Sequence, residues 1–175
     1  MGDVFKEQIV KRKPTVKDTV IRVLLIVLVI LIFFASALLV QALAVVITAV
    51  AAFGAFYLMS FLSVEYEYIF TNGELDIDII YNKSRRKRQL STKVNDFEIM
   101  AHIDDKNHES VFTMAQETRD YSSGVHGQDT YMCMLTLKGK KVKLIIEPNE
   151  KMLKAIAGSI TRRKLHLRPG VVLVQ

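Results

Sequence analysis

No Asp, Glu, Lys, Arg or His interrupts the 42 residues from Val23 to Val64. A bilayer core of about 30 Å takes roughly 20 helical residues. A run twice that long reads as two crossings joined by a tight turn. A single tilted helix would overshoot the core by roughly 30 Å. The pattern therefore predicts a transmembrane hairpin over residues 20–63, turning around Ser36 to Ala42. A signal peptide also starts basic and ends on small residues, and Ala35-Ser36-Ala37 or Ala42-Leu43-Ala44 would serve as its cleavage point. The long 22-residue leader and the second apolar segment weigh against that reading.

The hairpin is built for packing rather than transport. A channel or carrier places polar or ionisable groups inside its span, and here only Ser36, Gln41, Thr48 and Ser60 are available. Ala37, Ala44 and Ala51 recur every seven residues, and Ala55 follows Ala51 by four, so two helices can approach closely along them.

Charge sets the expected orientation. Residues 1–19 are a basic segment, and the first 22 residues carry six Lys or Arg against three Asp or Glu. Past the apolar run comes Lys83-Ser84-Arg85-Arg86-Lys87-Arg88, whereas the turn between the helices is uncharged. Basic flanks favour the cytoplasmic side. A multi-pass protein of the cell membrane is expected, with both termini cytoplasmic. The single Cys133 excludes an internal disulfide and suits a reducing compartment. The Asn82-Lys83-Ser84 glycosylation triplet has no meaning there.

After the hairpin the period changes from helical to two. Val64, Tyr66, Tyr68 and Phe70 share one face against Glu65 and Glu67. Asn72-Gly73 suits the positive φ angles of a two-residue hairpin turn. Leu75, Ile77, Ile79 and Tyr81 then point inward, with Glu74, Asp76 and Asp78 outside. Arg85 to Thr92 and Asn95 to Ala101 read as further strands, the latter with Phe97 and Ile99 inward. Val111 to Glu117 fits strand or helix, and Arg119 to Gln128 reads as a loop. A second hairpin alternates Tyr131, Cys133, Leu135 and Leu137, turns at Gly139, and returns through Val142, Leu144 and Ile146. Asn149 is an expected N-cap for a helix from Glu150 to Lys164, with Arg162, Arg163 and Lys164 complementing the dipole in its last turn. The tail from Pro169 to Gln175 cannot continue that helix and reads as an added strand or an apolar segment.

About seven strands and one C-terminal helix make an α+β, mainly antiparallel β domain over residues 64–165, with residues 166–175 as a tail. Its opening hairpin Tyr66-Glu-Tyr-Ile-Phe-Thr-Asn-Gly-Glu-Leu-Asp-Ile, the basic Ser84-Arg-Arg-Lys-Arg-Gln-Leu-Ser, and Ile145-Ile-Glu-Pro-Asn-Glu-Lys-Met-Leu resemble a bacterial pleckstrin-homology-like (PH-like) domain. Such domains often follow a pair of membrane helices, as in small YcxB-like proteins. The resemblance implies a bent sandwich closed at one end by the last helix. Phosphoinositide-binding members carry basic residues between the first two strands. Here that loop is Asn72-Gly73 between Thr71 and Glu74, so that lipid site does not transfer.

Three clusters could carry chemistry. Lys83, Arg85, Arg86, Lys87 and Arg88 are the candidate lipid- or partner-binding residues, since basic residues next to a membrane gain on the order of 1 kcal/mol each from anionic lipid. Exposed basic residues also protect a strand edge, and no aromatic platform accompanies them for nucleic acid. Lys138, Lys140, Lys141 and Lys143 surround a hairpin tip and read as solubility. His102, Asp104, Asp105 and His108 would suit metal or acid/base work, but H-E-x-x-H, Cys-x-x-Cys and a third ligand at fixed spacing are missing, so they read as a polar loop. No metal or cofactor is expected, and no nucleophile or phosphate-loop motif points to an enzyme. The expected function is a non-enzymatic, membrane-anchored interaction module binding protein or anionic lipid. The alternative is a structural subunit of a membrane assembly or homo-oligomer, packed through Ala37, Ala44, Ala51 and Ala55.

Overall fold

The computed structural model describes residues 4–168. The chain divides into a helical unit, residues 14–64 with 81–85, and a β-rich unit made of the remainder.

The helical unit starts earlier than hydropathy suggests. Thr15 caps α1 (Val16–Leu39), and the cap is reciprocal. The Asp18 amide donates to Thr15 Oγ1 (3.3 Å), and the Thr15 amide donates to Asp18 Oδ2 (2.8 Å). This capping box satisfies orphan amides at the helix start, so Lys17 and Arg22 lie within the helix rather than before it. A short 3-10 turn at Gln41–Leu43 leads into α2 (Ala44–Ser60). The two segments, Val16–Leu39 and Gln41–Ser60, are each long and apolar enough to cross a membrane. They pack on each other, and their outer apolar side chains, among them Leu38, Val45, Phe53 and Phe56, are exposed.

The β-rich unit begins before the helices. Phe5–Lys11, within the expected basic segment, is strand β1, paired antiparallel with β2 (Val64–Thr71) from Phe5 opposite Thr71 to Lys11 opposite Glu65. Strand β1 is half polar and was hidden by its charge. It is held by Val10, buried in the core, and by Gln8. The Gln8 amide donates to the Glu147 carbonyl and accepts from the Asn149 amide, both at 2.7 Å. Strands β3 (Glu74–Tyr81) and β4 (Arg85–Lys93) complete a four-stranded sheet in the order β1-β2-β3-β4. The β2–β3 turn is as expected: Asn72 and Gly73 have φ of 49° and 92°, angles that suit a type I′ turn.

The second sheet has the order β6-β8-β7-β5-β9, formed by β5 (Phe97–His102), β6 (Glu117–Asp120), β7 (Tyr131–Leu137), β8 (Lys140–Ile146) and β9 (Leu165–His166). Its central pairs are antiparallel, whereas β6 lies parallel to β8 and β9 parallel to β5. The ambiguous Val111 region resolves into a short helix α3 (Glu109–Thr113) followed by β6. Phe112 on α3 packs with Ile99, Ala101, Met132, Met134 and Ile145. That contact explains why β7 is buried on both faces, as its unbroken apolar run from Tyr131 to Leu135 requires. The opposite face, with Met100, Cys133, Leu135 and Leu144, is buried as well.

Helix α4 (Glu150–Ser159) is capped by Asn149, whose side chain accepts from the Met152 amide at 2.9 Å, and buries Met152, Leu153 and Ile156. It is shorter than expected. Arg162–Lys164 form a separate 3-10 turn, so these cations do not complement its dipole. The chain then adds β9 at Leu165–His166, so the expected tail boundary at residue 166 falls inside a strand. The reading made for Pro169 to Gln175 lies outside the described residues.

Tyr68 fastens the two sheets. Its buried hydroxyl donates to the Tyr121 carbonyl (2.5 Å) and accepts from the Glu147 amide (3.2 Å). Burial pushes the phenol's pKa far up, so it stays a donor throughout the physiological range.

Candidate functional site

The five basic residues do not form one uniform patch. Asn82 and Lys83 make the β3–β4 turn with φ of 49° and 53°. This turn belongs to the helical unit, and the Asn82 amide donates to the Ser63 carbonyl just after α2 (3.0 Å). Arg85 lies over the Phe61 ring, 5.9 Å from its centroid, and Phe61 meets Tyr57 edge-on at 5.0 Å. Lys83 and Arg85 therefore sit at the end of an apolar helix, with Arg85 against the Tyr57–Phe61 pair.

Arg86 and Arg88 are committed elsewhere. Arg86 approaches Glu67 at 2.7 Å, and Arg88 forks across Asp78 (2.5 Å) and Asp76 (2.7 Å). Lys83 and Lys87 have no ion pair among the described residues and are exposed. Alternation placed Glu65, Glu67 and Asp78 outside, but all three are buried. The reason is neighbours on both sides: β1 carries Glu7 and β4 carries Arg86 and Arg88 across the same face. Both oxygens of Glu67 are buried without an aligned hydrogen-bond donor, despite the near guanidinium. Burial raises its pKa above 4.5, Arg86 opposes that, and Glu7 and Asp78 raise it further.

Among the packing positions, Ala44 and Ala55 are buried, and Ala37 and Ala51 half-buried. Ser36 is also buried, with its hydroxyl donating to the Phe33 carbonyl at 2.9 Å. The Lys138, Lys140, Lys141 and Lys143 hairpin spends one charge on Glu98, 3.3 Å from Lys141. Cys133 is fully buried, and burial pushes its thiol well above the ordinary range.

The histidine loop separates into two environments. His102 is buried and fully used. Its Nδ1 accepts from the Asp104 amide (3.2 Å), so Nε2 carries the proton and donates to the Gln128 carbonyl (2.9 Å). Asp105 and His108, with His166 and Arg168, line an open pocket of about 840 Å³ whose wall also includes His102 and Asp104. Asp105 Oδ2 lies 2.8 Å from His108 Nδ1, and the His108 and His166 rings stack at 3.8 Å. Burial pushes the Asp105 carboxyl up. Its hydrogen bonds to His108 and the Asn107 amide, helped by the nearby imidazoles, more than reverse this and leave it below the ordinary value. His166 was not among the candidates. The parallel pairing of Ala101 with His166 brings it here, and no local spacing signals that pairing.

A family model described as Bacterial PH-like domain (DUF6106) matches residues 2–166. That match runs through β1, both apolar helices and β9, and its description does not extend to the YcxB-like group. No curated protein and no solved structure matches the chain.

Proposed function

The chain belongs to the bacterial PH-like domain family (DUF6106), and from that premise we propose that it is a non-enzymatic binding module locked to the cytoplasmic face of a membrane, with an anionic lipid surface as its first ligand. The observation that carries the reading is the basic β3–β4 turn, where Asn82 bonds Ser63 and Arg85 covers Phe61 at the end of α2. If α2 spans the bilayer, Lys83 and Arg85 stand at headgroup level, where each gains about 1 kcal/mol from anionic lipid.

The sheet supports two crossings. The helices are an insertion between β1 and β2, which pair directly from Phe5–Thr71 to Lys11–Glu65. Neighbouring strands cannot hydrogen-bond across a bilayer, so this pairing favours both ends of the insertion on one side and an even number of crossings. Lys13, Lys17, Lys83 and Arg85 near those ends favour the cytoplasm as that side. Ala44 and Ala55, the small residues of the structural-subunit reading, are already buried within the chain. This favours the module over a subunit packed through them.

The test uses the full-length protein reconstituted in bilayers with spin-labelled lipids. Preferential association of phosphatidylglycerol over phosphatidylcholine is expected, falling when Lys83, Arg85 and Lys87 are changed together to Gln. A wild type without headgroup preference would overturn the lipid reading.

A further inference from the structure

We propose that Asp105, His108 and His166 form a binding site for a divalent first-row transition-metal ion. One ligand atom from each residue lies within 4.8 Å of the other two. Ligand atoms around a tetrahedral ion with bonds of about 2.0–2.1 Å stand roughly 3.3 Å apart, so closure asks for a contraction of at most about 1.5 Å. Small side-chain rotations supply that.

The backbone preorganises two of the three groups. Asp105 caps its own 3-10 turn by accepting from the Asn107 amide (3.0 Å), which leaves Oδ2 directed at His108. His166 is fixed by the β9 pairing with β5, the strand whose end runs into this turn. All three side chains are partly buried and line the pocket. Two imidazoles and a carboxylate suit Zn²⁺, Co²⁺ or Ni²⁺ and disfavour Mg²⁺ and Ca²⁺, which prefer all-oxygen sites. Three protein ligands leave room in the coordination sphere for water or a small donor ligand, with Lys106 and Arg168 also lining the pocket.

Binding at His108 Nδ1 exchanges the Asp105–His108 hydrogen bond for two metal–ligand bonds, and the neutral imidazole keeps its proton on Nε2. The ion would clamp β9 to the turn after β5. The exposed His126–Asp120 pair (3.1 Å) has no third ligand among the described residues and is the internal control.

The experiment is equilibrium dialysis of tag-free, full-length protein in detergent against Zn²⁺. One ion per chain is expected, with affinity falling at least about tenfold in His108→Gln and in His166→Gln, and unchanged in His126→Gln. Unaltered stoichiometric binding by the double variant His108→Gln/His166→Gln would overturn the site, as would no saturable binding by wild type. Paramagnetic Co²⁺ added to histidine-labelled wild type gives a readout independent of variants. Among the chain's four imidazoles, strong shifts are expected at His108 and His166. Shifts dominated by His126 would overturn the assignment.

Discussion

Lys11 stands opposite Glu65 in adjacent antiparallel strands although the helical segment, residues 14–64, lies between them in the chain. The strand that opens the sheet is made before the two apolar helices, and its partner after them. Closing the sheet brings both ends of the insertion together, so if the helices span a bilayer both ends lie on one side of it.

Cysteine labelling tests that geometry directly. Cys133 is buried, with its thiol pushed up, so the native background should be silent to maleimide. In intact cells an impermeant maleimide should reach Gln41→Cys and miss Lys83→Cys. Inside-out vesicles should reverse the pattern. Labelling of both from one side would refute the two-crossing arrangement.

Strand β1 should be worth measurable stability despite its charge. Gln8→Ala removes the bonds to the Glu147 carbonyl and the Asn149 amide. A lost bond that leaves its partner unsatisfied costs about 1–3 kcal/mol. Thermal unfolding followed by circular dichroism should show a clear loss for Gln8→Ala and little change for the exposed Lys6→Ala.

Tyr68→Phe keeps the ring in the core and deletes only the hydroxyl that joins Tyr121 to Glu147. A cost of about 1–3 kcal/mol is expected. Unchanged stability would mean that packing alone holds the sheets together.

Glu67 gives a pH dependence of defined sign. Burial raises its folded pKa above 4.5, so its contribution is fully present below about pH 4.5 and is lost as pH rises through the folded value. Glu67→Gln cannot ionise and leaves Arg86, more than half exposed, free to hydrate. The variant should be more stable than wild type at pH 7, and this gain should disappear in acid. A variant less stable by the same margin at every pH would show that Arg86 needs the carboxylate.

Composition and period carried the local architecture. The uncharged run marked two helices, Asn72-Gly73 marked its hairpin, and Asn149 marked the start of α4, because each signal is a property of a few neighbouring residues. The same logic missed β1, since one buried face of Gln8 and Val10 among Lys6, Glu7 and Lys11 does not outweigh the charge. It also placed Glu65, Glu67 and Asp78 outside, since alternation describes one strand and cannot say that β1 and β4 will flank them.

The chain's own chemistry thus determined that an apolar helical pair adjoins a β-rich domain, and the family match carries the PH-like assignment. Pairing between distant segments decided the rest. It made the helices an insertion, neutralised Arg86 and Arg88 while leaving Lys83 and Lys87 exposed, and brought His166 against Asp105 and His108. The physical reason is range. Hydropathy and turn propensity act over a few residues, whereas strand register and ion pairing depend on which surfaces the closed sheets bring within a few ångströms.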